Sequence, residues 1–172
     1  FEFFGVKPIY ITLNAVIDEK MSEEDKSKAK NEFEDQLEKA NKVYNKIAIY
    51  LSADVKEGPV PRVDCGTNVT LKESRKYGVP GEITVFLSNS YKKAFGAVDV
   101  ENHSGYAWIP IVNGHESSWH LAHELGHIFG FRYGDPIWTN SVNDSLIDNF
   151  NYSMRGIPLF PEVIPSTLIF TA

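Results

Sequence analysis

Hydrophobic and polar positions recur with different periods along this chain, and each period predicts a different element. Residues 8–17 are rich in β-branched and aromatic side chains, which is typical of a strand. Ser22 then precedes three acidic residues, so we expect it to cap a helix whose dipole the acids complement. Apolar residues follow at spacings of three and four, which indicates a long amphipathic helix packed on a sheet; they are Ala29, Phe33, Leu37, Ala40, Tyr44 and Ile47.

Further apolar segments predict the remaining strands. Residues 47–55 predict a second strand, so the chain opens with a right-handed strand–helix–strand unit whose strands are parallel. Residues 82–88 predict a third strand, residues 94–100 a short edge strand, and residues 105–112 a last strand. Residues 56–81 are rich in glycine, proline and charge, which favours a loop.

A second helix is predicted after the last strand. Either Ser117 or Ser118 can cap it, and Gly130 is the type of residue that ends such a helix in a left-handed conformation. Glycine and proline are frequent after Gly130, which predicts an irregular C-terminal part. Because no repeat or linker divides the chain, we expect one domain over residues 1–172, of the α/β or α+β class.

This second helix carries HELGHIFG, residues 123–130, which is the most informative segment for chemistry. His123 and His127 are four residues apart, so they project from one face of a helix and can bind one metal ion. Glu124 is displaced around the helix from the first histidine and suits a general base acting on a water molecule. The helix is otherwise largely apolar, and a buried glutamate between histidines is costly unless a metal stabilises it. The pattern predicts a zinc site, whereas His120 lies too far from His127 to share the ion and should pack or form a hydrogen bond near the helix start.

Composition limits the classes of protein that fit this interpretation. The 172 residues are 42% hydrophobic and 23% charged, as in a soluble globular domain. A formal net charge of -6 argues against a nucleic-acid partner, and no segment approaches the roughly 18 apolar residues of a membrane span. Cys65 is the single cysteine, which excludes a disulfide framework within the chain. The chain begins at Phe1 without a signal-like segment, so we expect that any signal or pro-segment has been removed or omitted.

The HELGHIFG segment and a methionine that follows it, in NYSMRG at residues 151–156, resemble the metzincin metallopeptidases. The resemblance covers about residues 8–156 and implies a single metzincin-like zincin domain. Such a domain has a twisted mixed sheet with an antiparallel edge strand, a backing helix and an active-site helix, here with an irregular C-terminal part. The resemblance implies one catalytic zinc ion, with Glu124 as general base and acid, Gly130 as the turn after the helix, and Met154 beneath the histidines.

The zinc ligands that the resemblance implies are His123, His127 and a third residue, at which this chain departs from the family pattern. The family has His or Asp three residues after the glycine, where this chain has Tyr133. A phenol is a poor ligand unless zinc deprotonates it, whereas Asp135 offers a carboxylate of the type that zinc accepts. We therefore favour Asp135 as the ligand, in which case Tyr133 is free to face the substrate. Tyr133 itself stays an alternative ligand, as does a downstream aspartate, Asp144 or Asp148.

GYAWIP, residues 105–110, resembles the edge-strand segment that binds extended substrate in pappalysin-like and matrix-metalloproteinase-like members. The resemblance implies that a peptide pairs with Gly105, Tyr106 and Ala107 by β-augmentation. The implied function is a zinc-dependent endopeptidase, secreted and monomeric, that acts on proteins or peptides. The alternative is a metalloprotease-like domain that binds protein without cleaving it, although the retained Glu124 argues against a lapsed enzyme. A structural zinc site fits poorly, because four protein ligands would close it.

Calcium is a second metal that acidic side chains of this chain could bind. None of the candidates falls in a recognisable calcium loop, so we expect solvated surface charge at these positions. The candidates are Asp54, Asp64, Asp99 and Glu101.

Overall fold

The computed structural model describes residues 7–62, 67–111 and 119–129. The helices and strands in these residues are, in chain order, β1 Ile9–Asp18, α1 Glu23–Tyr44, β2 Ile49–Gly58, α2 Thr67–Ser74, β3 Ile83–Ser88, β4 Phe95–Asp99, β5 Ser104–Pro110 and α3 His120–Ile128. A 3₁₀ turn, Asn45–Ile47, joins α1 to β2. Within the described ranges, each helix is too short or too polar to cross a membrane.

The strands form a mixed sheet in the order β2–β1–β3–β5–β4. Strands β1, β2, β3 and β5 are parallel, and β4 pairs with β5 in the antiparallel direction. This arrangement confirms the predicted fold class, a mixed α/β fold with an antiparallel edge strand. The predicted strand–helix–strand opening is also confirmed, because β1 pairs with β2 in parallel from Ile9 opposite Ile49 to Asp18 opposite Gly58.

Helix α1 backs one face of the sheet and begins where the sequence predicts. The backbone N–H of Asp25 donates to Oγ of Ser22 over 3.1 Å, which confirms the predicted cap. The apolar stripe of the helix faces the core, where Phe33 and Tyr44 are fully buried. Because α1 ends at Tyr44, the last residue of the predicted stripe, Ile47, lies in the 3₁₀ turn instead.

The opposite face of the sheet is aromatic and packs against α2. The loop predicted over residues 56–81 is wrong in two places, since β2 continues to Gly58 and α2 spans Thr67–Ser74. The end of β2 is charged and exposed, but it stays a strand because it pairs with β1 residue by residue. The indole N–H of Trp108 on β5 donates to Oγ of Ser74 over 3.1 Å and so ties α2 to the sheet. The end of β2 and helix α2 are both stabilised by residues distant in sequence, so the local sequence pattern does not predict them.

Strand β5 is internal, which corrects the prediction that residues 105–110 form an edge of the sheet. Its neighbours are β3 on one side and β4 on the other, where Gly96 lies opposite Ala107 and Val98 opposite Gly105. Every residue of β5 is buried, and an unbroken buried run is typical of a strand covered on both faces. Among the described strands, the edge on this side of the sheet is β4, which the sequence predicts as a short edge strand.

Candidate metal centre

The start of α3 is held by a side chain from α1. The N-cap residue of α3 is Trp119, whose side chain makes no capping hydrogen bond. Instead, the backbone N–H of Leu121 donates over 3.0 Å to Oε1 of Gln36, a buried residue of α1. The predicted caps, Ser117 and Ser118, lie outside the described residues, and the helix begins later than either would place it.

Tyr44 holds α3 from the same backing helix. Its hydroxyl donates to the carbonyl oxygen of Ala122 over 2.6 Å, and its ring meets that of Phe129 edge-on with centroids 5.1 Å apart. Burial raises the pKa of Tyr44 well above its ordinary value, and the nearby Glu124 adds to the shift. The hydroxyl therefore stays protonated and remains a donor, so α1 fixes the position of α3 through two polar contacts as well as through apolar packing.

His123, Glu124 and His127 form a group that could hold a metal ion. Their ligand atoms lie within 4.8 Å of one another, and the Nε2 atoms of the two histidines are 3.1 Å apart. Two nitrogens that each bind zinc at about 2.0–2.1 Å in tetrahedral geometry lie roughly 3.3 Å apart, so this pair needs only a small adjustment. His123 is 3% exposed and Glu124 is 6% exposed. The fold thus brings together the three residues that the motif predicts for metal binding and catalysis.

The side chain of Glu124, a residue of α3, is enclosed between its own helix and the strand β4. Burial raises the pKa of its carboxyl group to about 8, whereas a cation bound by the neighbouring histidines would favour the ionised form. A Cβ atom at Gly96 of β4 would lie 2.7 Å from the carbonyl oxygen of Glu124 and 2.9 Å from its Oε2. The glutamate therefore lies directly against the strand at the edge of the sheet.

His120, the first residue of α3, does not join the metal-binding group. Burial lowers the pKa of its imidazole, and its Nδ1 atom is enclosed without a hydrogen-bond partner in the described ranges. The ring therefore packs near the helix start, which is the packing role that the sequence predicts for it.

The predicted substrate contacts at Gly105, Tyr106 and Ala107 need correction, because β4 occupies the outer side of this strand. The side chain of Tyr106 packs in the aromatic cluster on the face of the sheet opposite α3. Gly105 instead makes room for α3, since a Cβ atom there would lie 2.8 Å from Cγ2 of Ile128. The composition of the segment identifies a buried strand, but it does not reveal that the preceding residues fold back and cover it.

The remaining predicted site residues lie outside the described residues. They are Gly130, Tyr133, Asp135, Asp144, Asp148 and Met154. The third zinc ligand, the turn after the helix and the methionine beneath the histidines therefore stay predictions.

Two of the acidic residues considered for calcium, Asp99 and Glu101, bind a cationic side chain instead. Nε and Nη2 of Arg75 donate to Asp99 over 2.6 and 2.8 Å, and Nη2 lies 2.8 Å from Oε2 of Glu101. The side-chain amide of Asn102 also donates to Asp99, over 3.0 Å. The hydrogen bonds from Arg75 lower the pKa of Asp99 to about 2. These contacts anchor the turn between β4 and β5 and leave calcium unsupported at this position.

Three residues that support the site, Gln36, Tyr44 and Gly96, are not singled out for it by the sequence. Gln36 lies on the apolar face of α1, three residues after Phe33, and a buried amide at such a position indicates a polar partner. A glycine inside a strand indicates a close approach of another backbone, which is what Gly96 permits. These signals are present in the sequence, but they do not identify the partner.

Comparisons with known proteins show a structural likeness to solved structures. No family model and no curated protein matches this chain. Among solved structures, it is similar to metalloproteinase-II from Bacteroides fragilis, with a TM-score of 0.45 and 14% sequence identity. The match covers 73% of this chain and 43% of that one, so this chain spans less than half the length of that protein.

Proposed function

We propose that this chain is a metalloprotease-like domain, a zinc-dependent endopeptidase in which His123 and His127 bind the ion and Glu124 is the general base. The observation that carries the proposal is the enclosed group on α3, two imidazole nitrogens 3.1 Å apart beside a glutamate that is 6% exposed. A carboxyl group enclosed in this way is costly to ionise, as its raised pKa of about 8 reflects. A cation bound between the histidines offsets that cost by stabilising the ionised carboxylate.

The chemistry of the donors favours zinc over calcium and magnesium. Imidazole nitrogen is a preferred ligand of zinc, whereas calcium and magnesium prefer oxygen. We propose Asp135 as the third protein ligand, Tyr133 as a residue that faces the substrate, and Gly130 and Met154 as the turn and the floor of the site. Three protein ligands leave one position open, which distinguishes a catalytic zinc site from a structural one. When bound, the ion supplies Lewis-acid polarisation of the scissile carbonyl and lowers the pKa of water.

Glu124 moves the proton in this proposal. Its carboxylate accepts a proton from the attacking water and donates it to the nitrogen of the leaving amine. Glu124 is one residue from His123, so its side chain leaves the helix in a different direction. We therefore assign it to the water rather than to the ion, although its carboxylate lies within 4.8 Å of the histidine nitrogens. Its enclosure against β4 keeps bulk water away, which strengthens the electrostatic interactions of the carboxylate.

The edge strand β4, Phe95–Asp99, replaces residues 105–107 as the proposed place of peptide binding. Among the described strands only β5 pairs with β4, so the other side of β4 is proposed to offer backbone N–H and C=O groups to which a peptide can add as a further strand. Phe95 and Val98 are exposed along this strand, and Gly96 between them lies against Glu124. A peptide paired with β4 would therefore pass the general base.

Cleavage and zinc content, measured on the same samples, test the proposal. The zinc-loaded chain is incubated with an unfolded protein and with a broad peptide library, beside chelator-treated protein and the variant Glu124→Gln. The matched control is Glu38→Gln, an exposed carboxylate of α1. We expect wild type and the control to cleave, and Glu124→Gln to lose about 100-fold or more in rate with its zinc content unchanged. A zinc-loaded wild type that cleaves neither substrate would refute the peptidase and favour a protein-binding domain.

The substrate class, the monomeric state and a location outside the cell stay predictions that follow from the metzincin resemblance. Light scattering of the zinc-loaded chain measures its mass in solution, and a mass of twice 19.4 kDa would contradict the monomer.

A further inference from the structure

Gly96 lies where β4 meets α3, and no larger residue fits there without moving one of them. A Cβ atom at Gly96 would lie 2.7 Å from the carbonyl oxygen of Glu124, 2.9 Å from its Oε2 and 3.0 Å from its Cβ. All three distances are too short for a carbon atom at van der Waals contact, and all three involve the same residue. The contact therefore involves both the backbone of α3 at Glu124 and the carboxylate of that residue.

Backbone conformation does not explain why this position is a glycine. Gly81 has a positive φ of 79°, where a glycine relieves strain, but Gly96 has no positive φ and lies in a regular strand. A glycine inside a strand also forgoes side-chain packing, which destabilises the strand. The space taken by Glu124 is what requires a residue without a side chain at this position.

Neither β4 nor α3 is free to move aside for a larger residue. On the sheet side, Gly96 is paired with Ala107 of the fully buried strand β5. At the turn beyond it, Asp99 is held by two hydrogen bonds from Arg75. On the other side, α3 is tied to α1 by Tyr44. A side chain at position 96 would therefore displace the glutamate rather than be absorbed elsewhere.

We propose that Gly96 is a positioning residue that sets the distance between the carboxylate of Glu124 and a peptide paired with β4. This inference rests on the proposed function, because it assumes that β4 receives the peptide and that Glu124 is the base. The backbone of Gly96 would pair with the peptide, and the absence of a side chain on the same residue leaves the space that Glu124 occupies. A misplacement of about 1 Å in such a geometry can lower the rate about 100-fold.

The variant Gly96→Ala tests the inference through the rate constants. We expect kcat to fall about 10- to 100-fold, while KM changes by less than about threefold and the zinc content stays the same. The matched control is Gly78→Ala, in which a Cβ atom would collide with the ring of Tyr106 and lie 3.2 Å from the carbonyl oxygen of Ser74, on the opposite face of the sheet. The control should lose stability but keep kcat. If Gly96→Ala keeps the kcat of the active wild type, the inference is refuted.

A double-mutant cycle on the metal-free protein tests the contact without any activity. Replacing Glu124 with alanine removes Oε2, so Gly96→Ala should lower the melting temperature less in the Glu124→Ala background than in wild type. Gly78→Ala should lower it equally in both backgrounds. Additive effects of Gly96→Ala and Glu124→Ala would overturn the inference. Glu124→Ala leaves the carbonyl oxygen of residue 124 at 2.7 Å from the added Cβ atom, so we expect the relief to be partial rather than complete.

The two proposals fail in different ways. A zinc-loaded wild type without cleavage refutes the peptidase, whatever the cycle shows. An active wild type whose rate is insensitive to Gly96→Ala leaves the peptidase standing and refutes only the positioning role.

Discussion

Replacing Tyr44 with phenylalanine tests how the backing helix holds the helix that carries the metal ligands. The change removes one oxygen atom, which donates to the carbonyl oxygen of Ala122 over 2.6 Å between two fully buried residues. A hydrogen bond of this kind contributes about 0.5–1.5 kcal/mol net to stability. The carbonyl of Ala122 keeps its bond within α3, and the remaining ring keeps its contact with Phe129. We therefore expect a loss near the middle of that range, about 1 kcal/mol.

Urea unfolding of the metal-free protein measures this loss. In a chain of this size, about 1 kcal/mol corresponds to a decrease in melting temperature of about 2–4 °C. The control is Tyr10→Phe, because Tyr10 is 76% exposed and stacks on Tyr50 at the surface of the sheet. We expect the control to change the free energy of unfolding by less than about 0.5 kcal/mol. If Tyr44→Phe and Tyr10→Phe change the free energy of unfolding equally, and its slope against urea concentration is unchanged, the hydroxyl of Tyr44 does not hold α3.

Three further outcomes are expected. Gln36→Leu removes the acceptor at the first turn of α3 and should lower the free energy of unfolding by about 1–3 kcal/mol in urea; an unaffected variant would mean that the turn is capped elsewhere. Because Arg75 lowers the pKa of Asp99 from 3.8 to about 2, the resulting stabilisation is complete above about pH 4 and is lost as the pH falls towards 2. Asp99→Asn should therefore be less stable than wild type at neutral pH, with a difference that shrinks in acid; a constant difference would contradict this assignment. His127→Ala should abolish stoichiometric zinc measured by elemental analysis, whereas His120→Ala should retain it; equal zinc in both would remove His127 from the site.

Long periodic segments carry enough local information for the sequence to predict them. The predicted first strand, residues 8–17, differs by one residue at each end from the observed Ile9–Asp18, because alternation and β-branched side chains extend over its whole length. The stripe on α1 is likewise set by helix geometry and is buried as expected. The juxtaposition of His123 and His127 follows from four-residue spacing on a helix and requires no knowledge of the rest of the fold.

Features that depend on distant partners escape this kind of prediction. The internal position of β5 depends on the hairpin that brings β4 beside it, and the sequence of residues 105–110 is the same whether or not a strand covers it. The short helix α2 gains its stability from the aromatic face of the sheet rather than from its own periodicity. Gln36 contacts α3 from α1, and Gly96 contacts α3 from β4, so their roles depend on the tertiary packing of these elements.

The partners that hold α3 come from far along the chain. Gln36 and Tyr44 are separated from their partners on α3 by 85 and 78 residues. Closing loops of such length costs entropy before any contact repays it, so contacts of this kind form late in folding. Before these contacts form, a chain with a folded α3 carries His123, Glu124 and His127 on one helix but lacks the contacts from α1 that hold this helix on the sheet. We therefore expect the complete site to appear late in folding.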